Sequence, residues 1–129
     1  MTQEDKQLLL KDISARLPYG VKCIVTKSWT EEGQEGDVGK IGWVCLEGVD
    51  CIGDREPFFS EFGNFKPYLF PLSSMTEEQE KEYNNLNCYE LGCFPHTEDA
   101  LDYLIKNHFD YRCLIEKGLA IDATGLNIY

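Results

Sequence analysis

Apolar positions recur at helical spacing near the start of the chain. Leucine and isoleucine residues fall three to four positions apart between residues 9 and 17, which predicts one apolar helix face. Thr2 followed by Asp5 resembles a capping box, with acids in the first turn where the helix dipole favours them. Because Pro18 does not continue a helix comfortably, we predict a first helix from Gln3 to Arg16.

The apolar period changes to alternation at Val21, which predicts the start of a sheet. The acidic, glycine-rich segment from Thr30 to Gly39 has no apolar period and predicts an exposed loop. Next we predict a second strand, a turn, a short return strand and an aromatic strand, at Lys40–Glu47, Gly48–Asp50, Cys51–Ile52 and Glu56–Phe62. Short strands in succession favour an antiparallel sheet, and their aromatic content favours a half-open barrel of the SH3-like kind.

An extended segment then leads into the helical half of the chain. Two prolines within Lys66–Leu72 remove backbone donors, so we expect this segment to lie along a sheet edge or across the domain. Thr76 and Gln79 form a capping box, which predicts a short helix from Glu77 to Asn84.

Two more helices are predicted near the end. Pro95 and Thr97 precede an apolar stripe at positions 100–105, which predicts a helix with one buried face. We predict a last helix from Tyr111 to Lys117, which ends at Gly118 in a left-handed cap.

These elements combine into an α+β fold with an N-terminal helix, a small curved antiparallel sheet and short C-terminal helices. The length of 129 residues suits one domain. We expect a single domain over residues 1–129, in which an acidic helical part (residues 73–129) packs on the first helix and β-meander (residues 1–72). A hydrophobic content of 43% excludes a chain too polar to fold.

The charge balance excludes several classes of partner. The net charge is −11 and no dense basic patch is present, so we expect no direct nucleic-acid binding. No apolar run approaches the roughly 18 residues that span a bilayer, so we expect no membrane partner. An acidic, polar start without a secretory pattern and six dispersed cysteines predict a cytoplasmic protein with reduced thiols.

Three blocks of sequence stand out: LPYGV at 17–21, KPYLFPLSSMT at 66–76 and NHFDYRCLIEKGLA at 107–120. Together they resemble a family of small, uncharacterised bacterial proteins often encoded in phage or prophage regions. The resemblance implies a cytoplasmic setting and a link with mobile or phage-derived DNA. The family has no established activity, so the resemblance implies no catalytic, binding or cofactor residue.

A zinc site is one chemical alternative. Cys88, Cys93, His96 and His108 supply the soft ligands that tetrahedral zinc prefers. Their spacing is poor for paired structural ligands, which favours reduced thiols and a surface histidine instead. We therefore predict no metal and no cofactor.

A thiol nucleophile is another alternative. His108 would activate Cys113 or Cys93, with Asp110 as the orienting acid. No catalytic signature surrounds either cysteine, and Cys113 beside Leu114 suits packing. The polar pair at 108 and 110 is more typical of a helix cap. The sequence thus favours a non-enzymatic protein.

Two binding hypotheses follow. In the first, the chain is an accessory or protein-interaction module whose curved sheet offers aromatic side chains to a protein partner. In the second, carboxylates imitate a nucleic-acid backbone and occupy a DNA-binding protein. The structural alternatives are a barrel core for the aromatic residues and a solvated helix face for the acids. The candidate interaction residues are Trp29, Trp43, Phe59, Tyr68, Glu77, Glu78 and Glu82.

Overall fold

The computed structural model describes residues 1–27, 35–53, 57–87, 95 and 97–129. One helix precedes a run of five strands, and two further helices precede two short strands, in an α+β fold, as predicted. The helices are α1 (Gln3–Arg16), α2 (Glu77–Asn87) and α3 (Glu98–Lys106). The strands are β1 (Lys22–Val25), β2 (Val38–Val44), β3 (Gly48–Gly53), β4 (Phe58–Glu61), β5 (Phe65–Pro71), β6 (Phe109–Asp110) and β7 (Ile121–Asp122).

The strands form one open, mixed sheet. Its neighbour order is β4-β3-β2-β1-β5-β6, and β7 also pairs with β5. The predicted antiparallel pairing holds among β1 to β5, whereas β6 and β7 run parallel to β5. These two parallel strands have two residues each, too few to leave an alternating pattern in the sequence. Because the sheet does not close, the SH3-like half-barrel stays a prediction.

The third strand begins at Gly48, where the sequence predicts a turn. A Cβ at Gly48 would lie 2.8 Å from the Cα of Glu61 in β4, so glycine is needed here for close approach of two strands. The connection between β2 and β3 lies at residues 45–47 instead, where the N–H of Cys45 donates to the carbonyl of Gly48. The turn prediction is therefore wrong, since the glycine serves packing.

The second strand starts at Val38, inside the segment predicted to be a loop up to Gly39. A Cβ at Gly39 would lie 3.1 Å from the Cβ of Cys51 and 3.2 Å from the ring of Phe58. This glycine is again a packing residue within the sheet. Residues 30–34 of the predicted loop lie outside the described residues.

The proline-containing strand β5 is central and not at an edge. Its first half pairs with β1, with Pro67 opposite Cys23, and its second half pairs with β6 and β7. Leu69 accepts a hydrogen bond from Ala123 on the β7 side. Strand alternation places Pro67 on that same side, so its missing N–H leaves the pairing with β1 intact. Of the two predicted placements, the sheet edge is therefore wrong, whereas a segment across the domain agrees with the central position of β5.

Side-chain caps define the helices where the sequence predicts them. The Thr2 hydroxyl accepts from the N–H of Asp5, 3.1 Å away, and the reciprocal bond completes the capping box of α1. The N–H of Gln79 donates to the Thr76 hydroxyl in the same way, while α2 runs three residues further than predicted. Thr97 caps α3. No helix among the described residues is long and apolar enough to cross a membrane.

The last predicted helix is replaced by a run of turns after Asp110. Both carboxylate oxygens of Asp110 accept backbone N–H groups, from Leu114 at 3.0 Å and Ile115 at 2.9 Å. Cys113 has a left-handed φ of 59°, which interrupts the helical path. Gly118 has the predicted left-handed conformation, with φ 74°. The prediction of a helix is wrong because one capped turn carries the same apolar spacing as a short helix.

Two clusters of buried apolar side chains form the interior. The first cluster joins α1, the sheet and the segment after β6, and its largest members include Leu9, Ile13, Ile41, Phe65, Leu69 and Leu114. The second cluster lies between α2, α3 and β6 and contains Tyr83, Ala100, Leu104 and Phe109. Arg16, at the end of α1, donates to the carbonyl of Phe109 at 2.6 Å and so links the two clusters.

Candidate functional site

The outer face of the β2–β3–β4 sheet carries a row of three paired side chains. Asp50 of β3 lies opposite Trp43 of β2 on one side and Phe59 of β4 on the other. Residues paired across antiparallel strands place their side chains on the same face. Trp43 and Phe59 therefore flank one carboxylate on the face that turns away from the core.

Large apolar side chains are exposed around this row. Trp43 is 60% exposed, Leu46 83% and Ile52 61%, while Phe59 is half-buried. A Cβ at Gly42 would touch Ile52 at 3.6 Å, so Ile52 extends over the residue next to Trp43. We name Trp43, Leu46, Ile52 and Phe59 the hairpin patch.

A bulge in β2 presents the tryptophan. The register shifts between Ile41, which is buried, and Trp43, which is exposed, so Gly42 and Trp43 both face solvent. In a regular strand, residues 41 and 43 would share one face, and the indole would point into the core. The bulge is thus the local feature that exposes the largest side chain of the patch.

Carboxylates surround the hairpin patch. Glu47, Asp50 and Glu61 are exposed on or beside the same strands, with Lys40 as the neighbouring cation opposite Ile52. The surface therefore combines apolar side chains with carboxylates, of which Asp50 lies between Trp43 and Phe59.

Among the described residues, the other predicted interaction residues do not join this surface. Trp29 lies outside the described residues. Tyr68 is only 5% exposed, within β5, and burial raises the pKa of its hydroxyl. Glu77, Glu78 and Glu82 are exposed on α2, which packs beside β6, whereas the hairpin patch lies toward the β4 end of the sheet.

A buried ionic cluster lies under the end of α1. The guanidinium of Arg16 is fully buried and makes two bonds to the Asp12 carboxylate, of 2.8 and 3.2 Å. Arg112 approaches the same carboxylate at 3.4 Å and stacks over the ring of Tyr111, with 4.8 Å to its centroid. The cluster ties α1 to the segment after β6. The sequence indicates its members only as ordinary helix-surface charges.

His108 is buried and not at the surface. Its ring stacks on Tyr129 with centroids 4.0 Å apart, and the Nδ1 atom has no hydrogen-bond partner among the described residues. Burial, and then the charge of Arg16, lower its pKa to about 4, although a hydrogen bond to the Tyr19 backbone opposes this. The imidazole is therefore neutral at physiological pH.

The hydroxyl of Tyr129 bridges the backbones of β1 and β5. It accepts from the N–H of Lys22 at 2.9 Å and donates to the carbonyl of Tyr68 at 2.7 Å. Burial raises the pKa of this hydroxyl. The ring of Tyr129 is thereby fixed beside His108.

The side chains of the zinc and thiol-nucleophile alternatives have structural contacts, are exposed or lie outside the described residues. Asp110 is occupied by two backbone N–H groups, and Cys113 is exposed. Cys88, Cys93 and His96 are not among the described residues. Within the described ranges, no three histidine, cysteine or acidic side chains cluster as a metal site would require.

No protein-family model, curated protein sequence or solved structure matches this chain. The resemblance to a phage-linked bacterial family therefore stays a prediction.

Proposed function

We propose that this chain is a non-enzymatic protein-interaction module of phage or prophage type that binds its partner through the hairpin patch. The observation that carries the proposal is the exposure of Trp43, Leu46 and Ile52, each at least 60% exposed on neighbouring positions of one hairpin. Single exposed apolar residues are ordinary, but contiguous ones are typical of contact surfaces.

The composition of the patch suits a binding anchor. Tryptophan buries a large area at a small cost in side-chain entropy and is enriched among the residues that dominate interface energies. Trp43 lies on a paired hairpin and the bulge directs it outward, so little rearrangement is needed before binding. Leu46 and Ile52 extend the apolar area on either side of it along the hairpin.

The charges around the patch indicate the chemistry of the partner. Glu47, Asp50 and Glu61 are exposed near the apolar side chains, and the whole chain has a net charge of −11. A partner segment with apolar anchors and flanking lysine or arginine residues would complement both features. Such charge complementarity speeds association, and the attraction weakens as the salt concentration rises.

The contacts of the candidate catalytic residues support a non-enzymatic role. Asp110 uses both oxygens to hold a backbone turn, and His108 is stacked on Tyr129. A nucleophile, a base and an orienting acid would need mutual hydrogen bonds around an open position.

Acidic mimicry is the second candidate, and the exposed Glu77 and Glu78 of α2 favour it. Glu82 is less suited, because it forms a hydrogen bond with Tyr103. Burial of Tyr103, together with this bond, raises the pKa of its hydroxyl to about 12.

We also propose a half-barrel fold and a cytoplasmic setting. The return of β5 beside β1 supports an SH3-like half-barrel, and the buried free thiols suit a cytoplasmic setting.

Selection from a random peptide display library on the immobilised protein tests the proposed function. We expect enriched peptides that combine aromatic or aliphatic anchors with lysine or arginine, and binding that weakens as salt rises. Trp43→Ser should reduce the affinity of a selected peptide by about tenfold or more, as for an interface anchor.

Leu126→Ser is the matched control, since Leu126 is 50% exposed and lies outside the hairpin. This variant should bind the selected peptides like the unaltered chain. Peptides without basic residues, or equal losses from both variants, would contradict the proposal. Acidic mimicry would be supported instead if Glu77→Gln weakened the binding of the selected peptides and Trp43→Ser left it unchanged.

A further inference from the structure

A pocket of about 320 Å³ opens at the end of the molecule that contains α2, α3 and the chain terminus. Its apolar wall is aromatic and consists of Phe70, Phe109 and Tyr129. The ring centroid of Phe70 lies 6.2 Å from that of Phe109 and 5.8 Å from that of Tyr129, and the ring planes are tilted by 56° and 53°, so the rings form an angled apolar wall. This wall suits an aromatic molecule that packs against Phe70 and Tyr129.

Three polar side chains of the pocket offer hydrogen-bond donors, whereas Ser74 and Asn107 donate to the carbonyls of Pro71 and Tyr103. Lys106 is exposed at its edge and makes no ion pair with a described residue. Gln79 uses its carbonyl oxygen to accept from the N–H of Thr76, which leaves its amide N–H groups for other partners. The hydroxyl of Thr124 adds a third donor.

The charge of the pocket is opposite to that of the chain. Among the described residues that line it there is one lysine and no aspartate or glutamate, although the chain has 23 acids against 12 bases. His108 forms part of the wall and is held neutral, so the positive charge rests on Lys106 alone.

We propose that this pocket binds a small aromatic carboxylate, with its ring against Phe70 and Tyr129 and its carboxylate at Lys106. Gln79 and Thr124 would donate to the same anionic group. The volume lies at the lower end of the range for small-molecule sites, which limits the ligand to one or two fused rings. The inference is independent of the proposed protein contact, which lies at the other end of the sheet.

Titration with 2-naphthoate, followed by backbone amide chemical shifts, tests this site. A ligand of about a dozen non-hydrogen atoms is expected to bind with a Kd on the order of 1 mM. We expect saturable shifts concentrated at Lys106, Thr124 and Tyr129. The neutral 2-naphthamide should bind about two- to fivefold more weakly, because it lacks the charge that Lys106 attracts.

Lys106→Gln is the critical variant, and Lys117→Gln, a change of the same kind at an exposed site outside the pocket, is its control. The first should weaken 2-naphthoate binding by about two- to fivefold, while the second leaves it unchanged. Both variants change only an exposed side chain, so the fold should be kept. Absence of saturable shifts up to about 10 mM, equal binding of the amide, or equal effects of the two variants would overturn the proposal.

Discussion

The sulfur atoms of Cys23 and Cys51 lie 3.3 Å apart, although their strands, β1 and β3, are separated by β2. Gly39 of β2 pairs with Cys23, and a Cβ on Gly39 would lie 3.1 Å from the Cβ of Cys51. The two thiols thus meet across the backbone of a glycine. Their mutual hydrogen bond, together with burial, raises the pKa of Cys23 far above its usual range.

Replacement of Gly39 by alanine should destabilise the sheet. The added methyl group would press on Cys51, on the ring of Phe58 at 3.2 Å and on the carbonyl of Ile52 at 3.2 Å. We expect a loss of about 1–3 kcal/mol in the free energy of unfolding, as for other overpacked sites, measured by denaturant titration. Gly42→Ala, whose nearest contact would be 3.6 Å, should change stability much less. Equal effects of the two changes would contradict this account of Gly39.

Thiol labelling should separate the cysteines by burial. Cys113 is exposed, whereas Cys23 and Cys51 are only 0% and 1% exposed. Because only an accessible thiolate reacts, iodoacetamide at neutral pH should modify Cys113 readily and spare the buried pair until the protein is unfolded in denaturant. Peptide mapping by mass spectrometry, after the reaction is quenched at a series of times, gives the order in which the cysteines are modified. Early modification of Cys23 in the folded protein would mean that β1 and β3 open more readily than their packing indicates.

Removal of the Asp12 charge should be costly. Arg16 is fully buried, and Asp12→Asn would leave its guanidinium without a counter-charge in the interior. We expect a loss of about 3–5 kcal/mol of unfolding free energy. Asp102→Asn, at an exposed helical position, should change stability by less than about 0.5 kcal/mol. The double change Asp12→Leu with Arg16→Met should recover part of the loss, since it removes the two fully buried charges and leaves only Arg112, which is partly exposed, without its carboxylate.

The stability of the protein should fall with acid through His108. The pKa of its ring is lowered to about 4 when folded, against about 6.5 when unfolded. Between these values only the unfolded chain binds the proton, so acid favours unfolding and the unfolding free energy should decrease as pH falls from about 6.5 to about 4. The contribution of this one group is at most about 3 kcal/mol.

His108→Asn is the control for the pH effect. Asparagine tolerates the left-handed conformation found at His108, with φ 61°, and does not titrate. Denaturant titrations at several pH values should show that the unfolding free energy of this variant falls less between about pH 6.5 and 4 than that of the unaltered chain. If the variant and the unaltered chain lose stability in parallel between about pH 6.5 and 4, other groups cause the loss.

The sequence predicts the three helices with threonine caps best, because their signals are local. The hydroxyls of Thr2, Thr76 and Thr97 each accept a backbone N–H at the helix start that the pattern indicates. A cap and an apolar stripe involve residues within a few positions of one another, so neighbours in sequence suffice to identify them.

Features that depend on distant strands are not predictable in this way. Gly48 has the composition of a turn, yet its role is to admit the backbone of β4. The outward direction of Trp43 depends on a one-residue bulge, which changes the face of every later residue in the strand. Burial of His108 depends on Tyr129, twenty-one positions later in the chain. Of the predicted surface, the structure thus brings Trp43 and Phe59 together and leaves Glu77 and Glu78 elsewhere.

Photo-cross-linking at position 43 in the native host tests the proposed function most directly. Trp43 would be replaced by a photoreactive phenylalanine analogue, and Leu126 would be replaced in the same way as a control of similar exposure. We expect one main protein adduct at position 43 that is absent at position 126, attached through a segment with apolar and basic residues. The same adducts at both positions, or attachment through an acidic segment, would contradict a partner contact at the hairpin patch.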